Sequence, residues 1–299
     1  MKNKYIFIGE IESINIELIF NSFKFLKNKV RYIIIGDLSL FKKHSKFLKN
    51  IPNIKEVNNP LDFGSLNSNF LNFYHLAPKK TKIENMLAQL ELCNFLGNQT
   101  GNDLVTLPIN KSVFKKNLKF NGMTEYFGKL NKKNTVMLMT GENFSISPIT
   151  THINLKDVGK EFMAKIESFF QTLIQCDAHK NILKNYENFI FLCFNPHCSE
   201  NGTLGNEDLI IRKYLEKFKN IKFKLVSADS AFNRIKQKTL FLSFYHDQAL
   251  IPFKILNKKS FNQTLGLNYR RLSPSHGTAV DIKFQNLANN TSYIQCMIN

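Results

Sequence analysis

Three histidines stand in polar stretches of the sequence and could together hold a metal ion. His152 follows a pair of threonines, His197 follows an Asn-Pro pair, and His246 follows a Phe-Tyr pair. Three imidazoles that leave one coordination position for water or substrate are typical of a catalytic divalent-metal site. The intervals between them are much longer than in a compact ligand motif, so spacing alone favours three exposed loop histidines over a metal site.

The stretch FYHDQALIPFKIL, residues 244–256, sets a carboxylate beside one of these histidines. Asp247 could orient the imidazole of His246, bind the ion itself, or act as a base in proton transfer. It could equally cap the turn that follows. The residue types therefore indicate proton or metal chemistry without choosing the role of the carboxylate.

Three cations could hold the phosphate or carboxylate of a substrate, namely Lys254, Arg270 and Arg271. An arginine offers a planar fork of donors and a lysine a point charge, but in a chain this basic a lone cation is more often a solvated surface residue. The loop SPSHGTAVDI, residues 273–282, sets small residues beside His276, which would let a flat ligand approach the backbone closely. Neither a GxGxxG motif nor a P-loop is present, so a Rossmann nucleotide site is not supported.

Short apolar runs and helical patterns must position these residues. The runs predict buried strands at residues 5–8, 32–35, 104–105, 136–139, 189–194 and 240–244. Apolar residues at helical spacing predict helices at residues 14–25, 85–96, 158–173 and 208–218. Strands that alternate with helices over this length predict an α/β fold with a largely parallel sheet.

Polar clusters directly follow three of the predicted strands. TLPINK follows residues 104–105, NPHCSENGTLGNE follows residues 189–194, and YHDQ follows residues 240–244. In open α/β sheets, ligands bind at the carboxyl ends of the strands. We therefore expect the three clusters to converge on one cleft.

The length and composition of the chain limit the class of protein. Its 299 residues allow one large or two medium domains, and a hydrophobic fraction of 43% is near that of folded domains. No apolar stretch approaches the ~20 residues that cross a bilayer, and the N-terminal MKNKYIFIGE meets an acidic residue too soon for a signal peptide. We therefore expect a soluble, cytoplasmic protein without a membrane partner.

The formal net charge of +18 could attract nucleic acid, phosphorylated metabolites or an anionic membrane surface. The lysines are spread along the whole chain, and no zinc finger, RNA-recognition motif or separate basic tail is present. Nucleic acid is therefore not an expected partner.

The cysteines are odd in number and show no CxxC spacing, which favours reduced thiols over a disulfide framework or a zinc ribbon. They are Cys93, Cys176, Cys193, Cys198 and Cys296.

Four motifs occur in order along the chain: TTHINLKDV at residues 150–158, NPHCSENGTLGNE at 195–207, YHDQALIPFK at 245–254 and NQTLGLNYRRLSPSHGTAVDI at 262–282. Taken together, they resemble the PdxA family of 4-hydroxythreonine-4-phosphate dehydrogenases, which act in vitamin B6 biosynthesis. Weaker matches are IGDLSLF from Ile35, TLPINK from Thr106, GMTEYF from Gly122 and SADSAF from Ser227. The resemblance runs through most of the chain, and four ordered motifs are more specific than any one alone.

The resemblance implies an isocitrate and isopropylmalate dehydrogenase-like fold, with two α/β domains around a central cleft. We expect a nucleotide-side domain at residues 1–115 and 255–299, and a second domain, with the metal ligands and the dimer interface, at residues 116–254. The family works as a homodimer with a shared active site. The implied reaction is NAD- or NADP-dependent oxidation of the 3-hydroxyl of 4-phosphooxy-L-threonine, followed by loss of carbon dioxide to give 3-amino-2-oxopropyl phosphate.

The same matching gives each candidate residue an implied role. The divalent metal, such as zinc, cobalt or magnesium, would be bound by His152, His197 and His246. Asp247 and Lys254 are the catalytic candidates. The substrate would contact Met123, Thr124, Lys254, Asn262 and Arg271. The cofactor would lie on His276, Gly277, Thr278 and Ala279, a loop that needs no Rossmann glycines.

The sequence departs from the family pattern close to these positions. Met123 replaces the histidine of the family's GHTE motif, and a thioether cannot donate a hydrogen bond. The family's GDPxGIGPE segment reads GEIESINIE at residues 9–17, Leu107 takes the glycine position of TGPINK, and residues 283–285 (KFQ) replace a small, glycine-containing run. These changes leave two alternatives open: a dehydrogenase for another phosphorylated hydroxy acid, such as threonate or erythronate 4-phosphate, and a non-catalytic homologue.

Overall fold

The computed structural model describes residues 2–110, 122–175 and 182–299. Cys176, expected to be a reduced thiol, and the predicted domain boundary at 115/116 lie outside the described residues. The chain divides into two compact units, of which the first comprises Met1–Asn121 and Asn268–Asn299 and the second Gly122–Leu267.

Strands and helices alternate along the described chain. The strands are β1 (Lys2–Phe7), β2 (Val30–Gly36), β3 (Ile54–Glu56), β4 (Leu71–His75), β5 (Asp103–Thr106), β6 (Val136–Gly141), β7 (Ser145–Pro148), β8 (Asn188–Leu192), β9 (Phe223–Val226), β10 (Thr239–Ser243), β11 (Ser260–Leu265) and β12 (Arg271–Pro274). The helices are α1 (Asn15–Leu26), α2 (Leu38–Ser45), α3 (Lys82–Thr100), α4 (Met123–Asn131), α5 (Val158–Gln175), α6 (Glu207–Leu215), α7 (His246–Leu256) and α8 (Thr291–Ile298). Short 3-10 turns occur at Leu155–Asp157, Ile182–Asn185 and Val280–Ile282.

The first unit is built on a parallel sheet with the strand order β3-β4-β2-β1-β5-β12. Its central strand β1 carries a continuous apolar run because both faces of a parallel sheet are covered, and Tyr5, Ile6 and Phe7 are fully buried. Helix α3 begins at a capping box between Thr81 and Glu84. This arrangement places the carboxyl ends of β1, β2, β4 and β5 at one edge of the sheet.

A buried ion cluster ties both ends of the chain into the first unit. The fully buried ammonium of Lys4 donates to Asp103 Oδ2 at 2.9 Å and to the Cys296 carbonyl at 3.0 Å. Arg270 Nε donates to Asp103 Oδ1 at 2.8 Å. Burial would raise the pKa of Asp103, but the hydrogen bonds and charges of Arg270 and Lys4 lower it below its ordinary value. Arg270, a candidate phosphate contact in the sequence, is therefore a structural partner of Asp103.

The second unit contains a mixed sheet with the strand order β11-β6-β7-β10-β8-β9. Strands β7, β10, β8 and β9 run parallel, whereas β6 is antiparallel to both of its neighbours. Phe244 packs at the centre of an aromatic cluster, with ring centroids 4.9 Å from Phe162 and 5.1 Å from Phe191. The apolar stripe predicted on α5 is buried in this core through Val158, Phe162, Ile166, Phe169, Phe170 and Leu173.

The predicted α/β class is confirmed, but three features differ from the expectation. Strands β6 and β11 add an antiparallel pair to the sheet. The YHDQ segment, expected to be a loop, contains the first turn of α7. The two units divide after Leu267, whereas the sequence placed the boundary at 254/255, because β11 pairs with β6 in the second unit. Across the described ranges, no helix is both long and apolar enough to span a membrane.

Candidate active site

Two of the predicted metal ligands lie side by side in the second unit. His152 follows β7, and His246 follows β10 as the first residue of α7. Strands β7 and β10 are parallel neighbours, so their carboxyl ends meet at the same edge of the sheet. The imidazole centroids of His152 and His246 are 5.5 Å apart. The sheet topology thus assembles this pair from residues that are distant in sequence.

The carboxylate of Glu125, on the first turn of α4, holds His152. Glu125 Oε1 accepts a hydrogen bond from the Thr151 hydroxyl and lies 3.4 Å from His152 Nδ1. Burial would raise the pKa of Glu125, but the hydrogen bonds from His152 and Thr151 lower it to about 2. The carboxylate is therefore ionised at any ordinary pH and fixes the ring of His152.

A glycine at position 122 leaves room for the carboxylate of Glu125 and the imidazole of His152 to lie side by side. A Cβ atom at Gly122 would lie 2.4 Å from Glu125 Oε2 and 2.5 Å from His152 Nδ1. Any larger residue at this position would push the carboxylate and the imidazole from their present places.

A second carboxylate holds His246 in the same way. Asp247 Oδ1 lies 2.6 Å from His246 Nδ1. Metal-binding histidines commonly donate their second ring nitrogen to a carboxylate, which fixes the tautomer and the orientation of the ring. The imidazoles of His152 and His246, each with a carboxylate at Nδ1, therefore suit two ligands of a metal ion that binds through Nε2.

His197 lies on a loop with an unusual backbone. The φ angles of residues 197–201 lie between 43° and 63°, in the left-handed region, although none of these residues is glycine. This conformation costs about 1–2 kcal/mol per residue in an L-amino-acid chain. Asp208 stabilises the loop by accepting hydrogen bonds from the Phe194 amide at 2.6 Å and from the Ser199 hydroxyl at 2.5 Å.

The structure does not bring His197 to the other two histidines. The described part of the chain contains no group of three His, Cys, Asp or Glu side chains placed to hold a metal ion.

A disulfide joins Cys193 and Cys198 within the same loop. The expectation of reduced thiols is wrong for this pair, because the left-handed turn brings the two Cα atoms to 5.1 Å. Cys93 and Cys296 are buried free thiols, as expected.

The predicted substrate contacts of the second unit lie on three elements. Met123 begins α4, and the next residue, Thr124, is buried with its hydroxyl 3.2 Å from that of Thr264. Asn262 lies on β11, and its Oδ1 is buried with no hydrogen-bond partner among the described residues. Lys254 is exposed on α7, two turns beyond His246.

The remaining predicted residues lie in the first unit. Arg271 is buried, and its Nε and Nη2 donate to the Thr106 hydroxyl at 3.0 and 2.6 Å. In the predicted cofactor loop, His276 Nδ1 lies 2.9 Å from the Gly277 carbonyl, and the carbonyl of Thr278 accepts from the Ile14 amide at 3.3 Å. The loop continues through Ala279, whose φ of 42° is left-handed, and the Cβ direction of Gly277 is open.

Sequence reasoning missed the residues that hold the predicted ligands. Glu125 stands in the GMTEYF segment, where only Met123 and Thr124 were singled out. Asp208, which organises the His197 loop, was read only as the start of a helix. Their roles depend on distances across the fold, which no local pattern reports.

Comparison with known proteins identifies the family. The model of the pyridoxal phosphate biosynthetic protein PdxA matches residues 28–298. A protein of Aquifex aeolicus named 4-hydroxythreonine-4-phosphate dehydrogenase is 31% identical, over 97% of this chain and 94% of that protein. A protein of the same name from Sulfurihydrogenibium sp. is 29% identical with the same coverage.

A solved structure supports the fold. The crystal structure of 4-hydroxythreonine-4-phosphate dehydrogenase from Klebsiella pneumoniae matches with a TM-score of 0.80 at 19% identity, over 99% of this chain and 98% of that chain. The predicted fold of this dehydrogenase family is therefore confirmed. Because the family model covers most of its length, the chain belongs to the PdxA family of pyridoxal phosphate biosynthetic proteins.

Proposed function

We propose that this chain is a metal- and nicotinamide-dependent dehydrogenase that oxidises the 3-hydroxyl of 4-phosphooxy-L-threonine. The β-keto acid would lose carbon dioxide to give 3-amino-2-oxopropyl phosphate, on the route to pyridoxal 5′-phosphate. Membership of the family and the names of the relatives support this substrate. The observation that carries the chemistry is the pair of imidazoles, His152 and His246, each held at Nδ1 by a carboxylate.

His152, His246 and, by resemblance, His197 would hold the divalent ion. When bound, such an ion supplies positive charge that polarises an alcohol and stabilises the oxyanions of oxidation and decarboxylation. Glu125 and Asp247 favour the tautomer in which Nδ1 carries the proton and Nε2 is the free base. Imidazole ligands suit zinc or cobalt better than magnesium.

Two groups of the second unit would bind the substrate: the positive charge of Lys254 and the side-chain oxygen of Asn262. Lys254, exposed on the helix that begins at His246, offers a point charge for a phosphate or carboxylate. The buried Oδ1 of Asn262 can accept a hydrogen bond from the ligand, which would remove the cost of an unpaired polar atom. Arg271 of the first unit is a further proposed contact.

Proton transfer is assigned to Asp247. Its side chain is 70% exposed, so it can exchange a proton with solvent while Oδ1 stays beside His246. In a purely orienting role, the same carboxylate would only fix the imidazole.

The cofactor, NAD or NADP, would bind along His276, Gly277, Thr278 and Ala279. The open Cβ direction at Gly277 leaves room for close approach to the backbone there. When bound, such a cofactor would supply the hydride acceptor that oxidation of the alcohol requires.

We also propose that the enzyme is a homodimer with a shared site. Ile251 and Ile255 lie four residues apart on α7 and are 61% and 72% exposed. Residues four apart share one face of a helix, and a second copy of the chain would cover these side chains.

A substrate panel tests the proposed reaction. Purified enzyme would be assayed for NADH and NADPH formation with 4-phosphooxy-threonine, threonate 4-phosphate and erythronate 4-phosphate, and the product identified by mass spectrometry. We expect the first substrate to be preferred and 3-amino-2-oxopropyl phosphate to form. Preference for a threonate or erythronate phosphate would identify the alternative dehydrogenase, and turnover of none would favour a non-catalytic homologue.

A pair of lysine variants tests how the substrate is held. In Lys254→Ala we expect KM to rise at least about tenfold, since a charge-assisted contact is lost. Lys259→Ala removes an exposed lysine nearby and should leave KM unchanged. Equal KM values in the two variants would remove Lys254 from the site.

A further inference from the structure

Three aromatic rings form a cluster at the surface of the first unit. The ring centroid of Phe284 lies 6.0 Å from that of His44, at an interplanar angle of 25°, and 5.4 Å from that of Phe47. His44 is buried in the last turn of α2, whereas Phe47 follows the helix and is 64% exposed. The cluster therefore presents aromatic surface to solvent.

Phe284 occupies this position with an unfavourable backbone. Its φ of 61° lies in the left-handed region, where a bulky aromatic residue is an outlier. Residues 283–285 stand where the family has a small, glycine-containing run. A residue in such a conformation persists only where its surroundings over-determine it, and such residues concentrate at ligand sites. The contacts with His44 and Phe47 supply this restraint and fix the orientation of the ring.

The cluster follows the proposed cofactor loop, residues 276–279, along the chain. The amide of Ile282 donates to the Ala279 carbonyl at 3.2 Å, and the amide of Lys283 donates to the Val280 carbonyl at 3.4 Å. These bonds fold residues 280–282 into a 3-10 turn. The chain therefore leaves the loop in a compact turn and reaches Phe284 directly after it.

Positive charge accompanies the aromatic surface. Lys283 Nζ lies 6.0 Å from the ring centroid of Phe284, and the last turn of α2 is basic. The nearby carboxylate of Glu12 lies 3.7 Å from His44 Nε2 and is also paired with Lys82 at 3.7 Å. A dinucleotide combines a flat base with anionic phosphates, so aromatic rings beside ammonium groups match its chemistry.

We propose that the ring of Phe284, held by Phe47 and His44, is the face on which the adenine of the nicotinamide cofactor stacks. Every base has a π-face, and stacking on an aromatic side chain strengthens binding. The ammonium of Lys283 would then face the phosphates. The inference rests on the cofactor of the proposed function and adds residues outside the cofactor loop. In a purely structural role, the ring would only clamp its own segment against α2.

Phe284→Gly removes the ring and keeps the backbone, because glycine adopts a φ of 61° without strain. Isothermal titration calorimetry would measure the Kd of NADH, NADPH and 5′-AMP for this variant and wild type. We expect the Kd of each bound nucleotide to rise about tenfold. Phe95→Ala, at a 59% exposed position on α3, should leave every Kd unchanged.

Thermal unfolding of Phe284→Gly separates stacking from clamping. A lower Tm together with unchanged nucleotide Kd values would show that the ring only clamps its segment, which would overturn the proposal.

A fluorescent reporter follows the contact directly, since the chain contains no tryptophan. Phe284→Trp keeps an aromatic face, so 5′-AMP should quench its fluorescence saturably and ribose 5-phosphate should not. Phe95→Trp is the matched control and should show no saturable change. An equal response of the two variants to 5′-AMP would overturn the proposal and leave the proposed function standing. Failure of wild type to bind NADH or NADPH would overturn the cofactor of the proposed function together with the stacking site.

Discussion

At the scale of single residues, two carboxylates determine how the imidazoles are presented. Glu125 reaches His152 from α4, and Asp247 reaches His246 from the neighbouring position in the chain. Neither interaction is needed to fold a helix or a strand. Their combined effect is to orient two rings whose centroids are 5.5 Å apart.

Replacement of Glu125 by glutamine should weaken the site while leaving the fold intact. The amide keeps the size of the side chain but removes the negative charge that holds Nδ1 of His152. We expect metal affinity and kcat/KM to fall about 10- to 100-fold, as is typical when the partner of a ligating histidine is lost. Chelator competition and steady-state kinetics measure the two effects.

Glu161→Gln is the matched control for this variant. Glu161 lies on α5 in an exposed pair with Lys165 at 3.4 Å, so its loss should change neither quantity. If Glu125→Gln behaves like this control, Glu125 does not support a metal ligand.

At the scale of elements, close approach of the start of α4 to the segment after β7 shapes the site. Gly122→Ala would place a methyl group 2.4 Å from Glu125 Oε2 and 2.5 Å from His152 Nδ1. Both contacts are side-chain atoms that can shift, so we expect a stability loss below about 2 kcal/mol. Displacement of the two groups should still lower kcat/KM at least about tenfold.

Gly159→Ala provides the comparison, because its new methyl group would meet only Phe194, at 4.0 Å. We expect this variant to keep full activity. Thermal unfolding and kinetics on both variants separate a misplaced ligand from a damaged fold. A large loss of stability with unchanged kinetics in Gly122→Ala would contradict the account.

The ion cluster of the first unit gives a prediction about stability and pH. Asp103→Asn leaves the buried Lys4 without its counter-charge, which should cost about 3–5 kcal/mol of unfolding free energy. The pKa of Asp103 is lowered in the folded state, so its stabilisation is fully present above the unfolded pKa of about 4 and is lost as pH falls through the folded pKa. The difference in unfolding free energy between Asp103→Asn and wild type should therefore become smaller below about pH 4.

Denaturant unfolding at several pH values measures this effect. Glu91→Gln changes an exposed residue on α3, so its unfolding free energy should lie within about 0.5 kcal/mol of the wild-type value at every pH. A pH-independent difference for Asp103→Asn would show that the carboxylate does not act through its charge.

Elements with a strong local pattern could be predicted from the sequence. The apolar stripe on α5 recurs at three- and four-residue steps because one face of the helix is buried. The centre of β10, residues 240–242, is apolar because both faces of the strand are buried. Helix α7 was missed because it starts on YHDQ and contains Pro252. Strand β11 was missed because NQTL carries polar residues in a buried ladder.

The site was predictable in part, through motifs and not through spacing. His152 and His246 were proposed as ligands because TTH and YHDQ occur in the family's order, and the parallel pairing of β7 and β10 explains why the two rings meet. The left-handed loop at residues 197–201 and its disulfide were not foreseen. Local propensity favours glycine for such a backbone, and these residues are not glycine.

At the scale of the whole molecule, the proposed homodimer depends on the exposed face of α7. Ile255→Asp places a charge where a second copy would otherwise bury an isoleucine. We expect sedimentation equilibrium to show a monomer. Enzyme assays should show reduced activity, because the site is shared. Leu61→Asp, at a 44% exposed position of the first unit, should remain a dimer. A dimeric Ile255→Asp would place the interface elsewhere.

The central claim is that His152 and His246 bind a divalent ion that is needed for oxidation of 4-phosphooxy-threonine. The most direct test measures NAD(P)H formation from this substrate by wild type and His246→Ala, each before and after treatment with a chelator and after readdition of zinc or cobalt. We predict that the chelator abolishes wild-type activity, that the metal restores it, and that His246→Ala stays inactive throughout. Activity that survives both the chelator and the substitution would contradict the account.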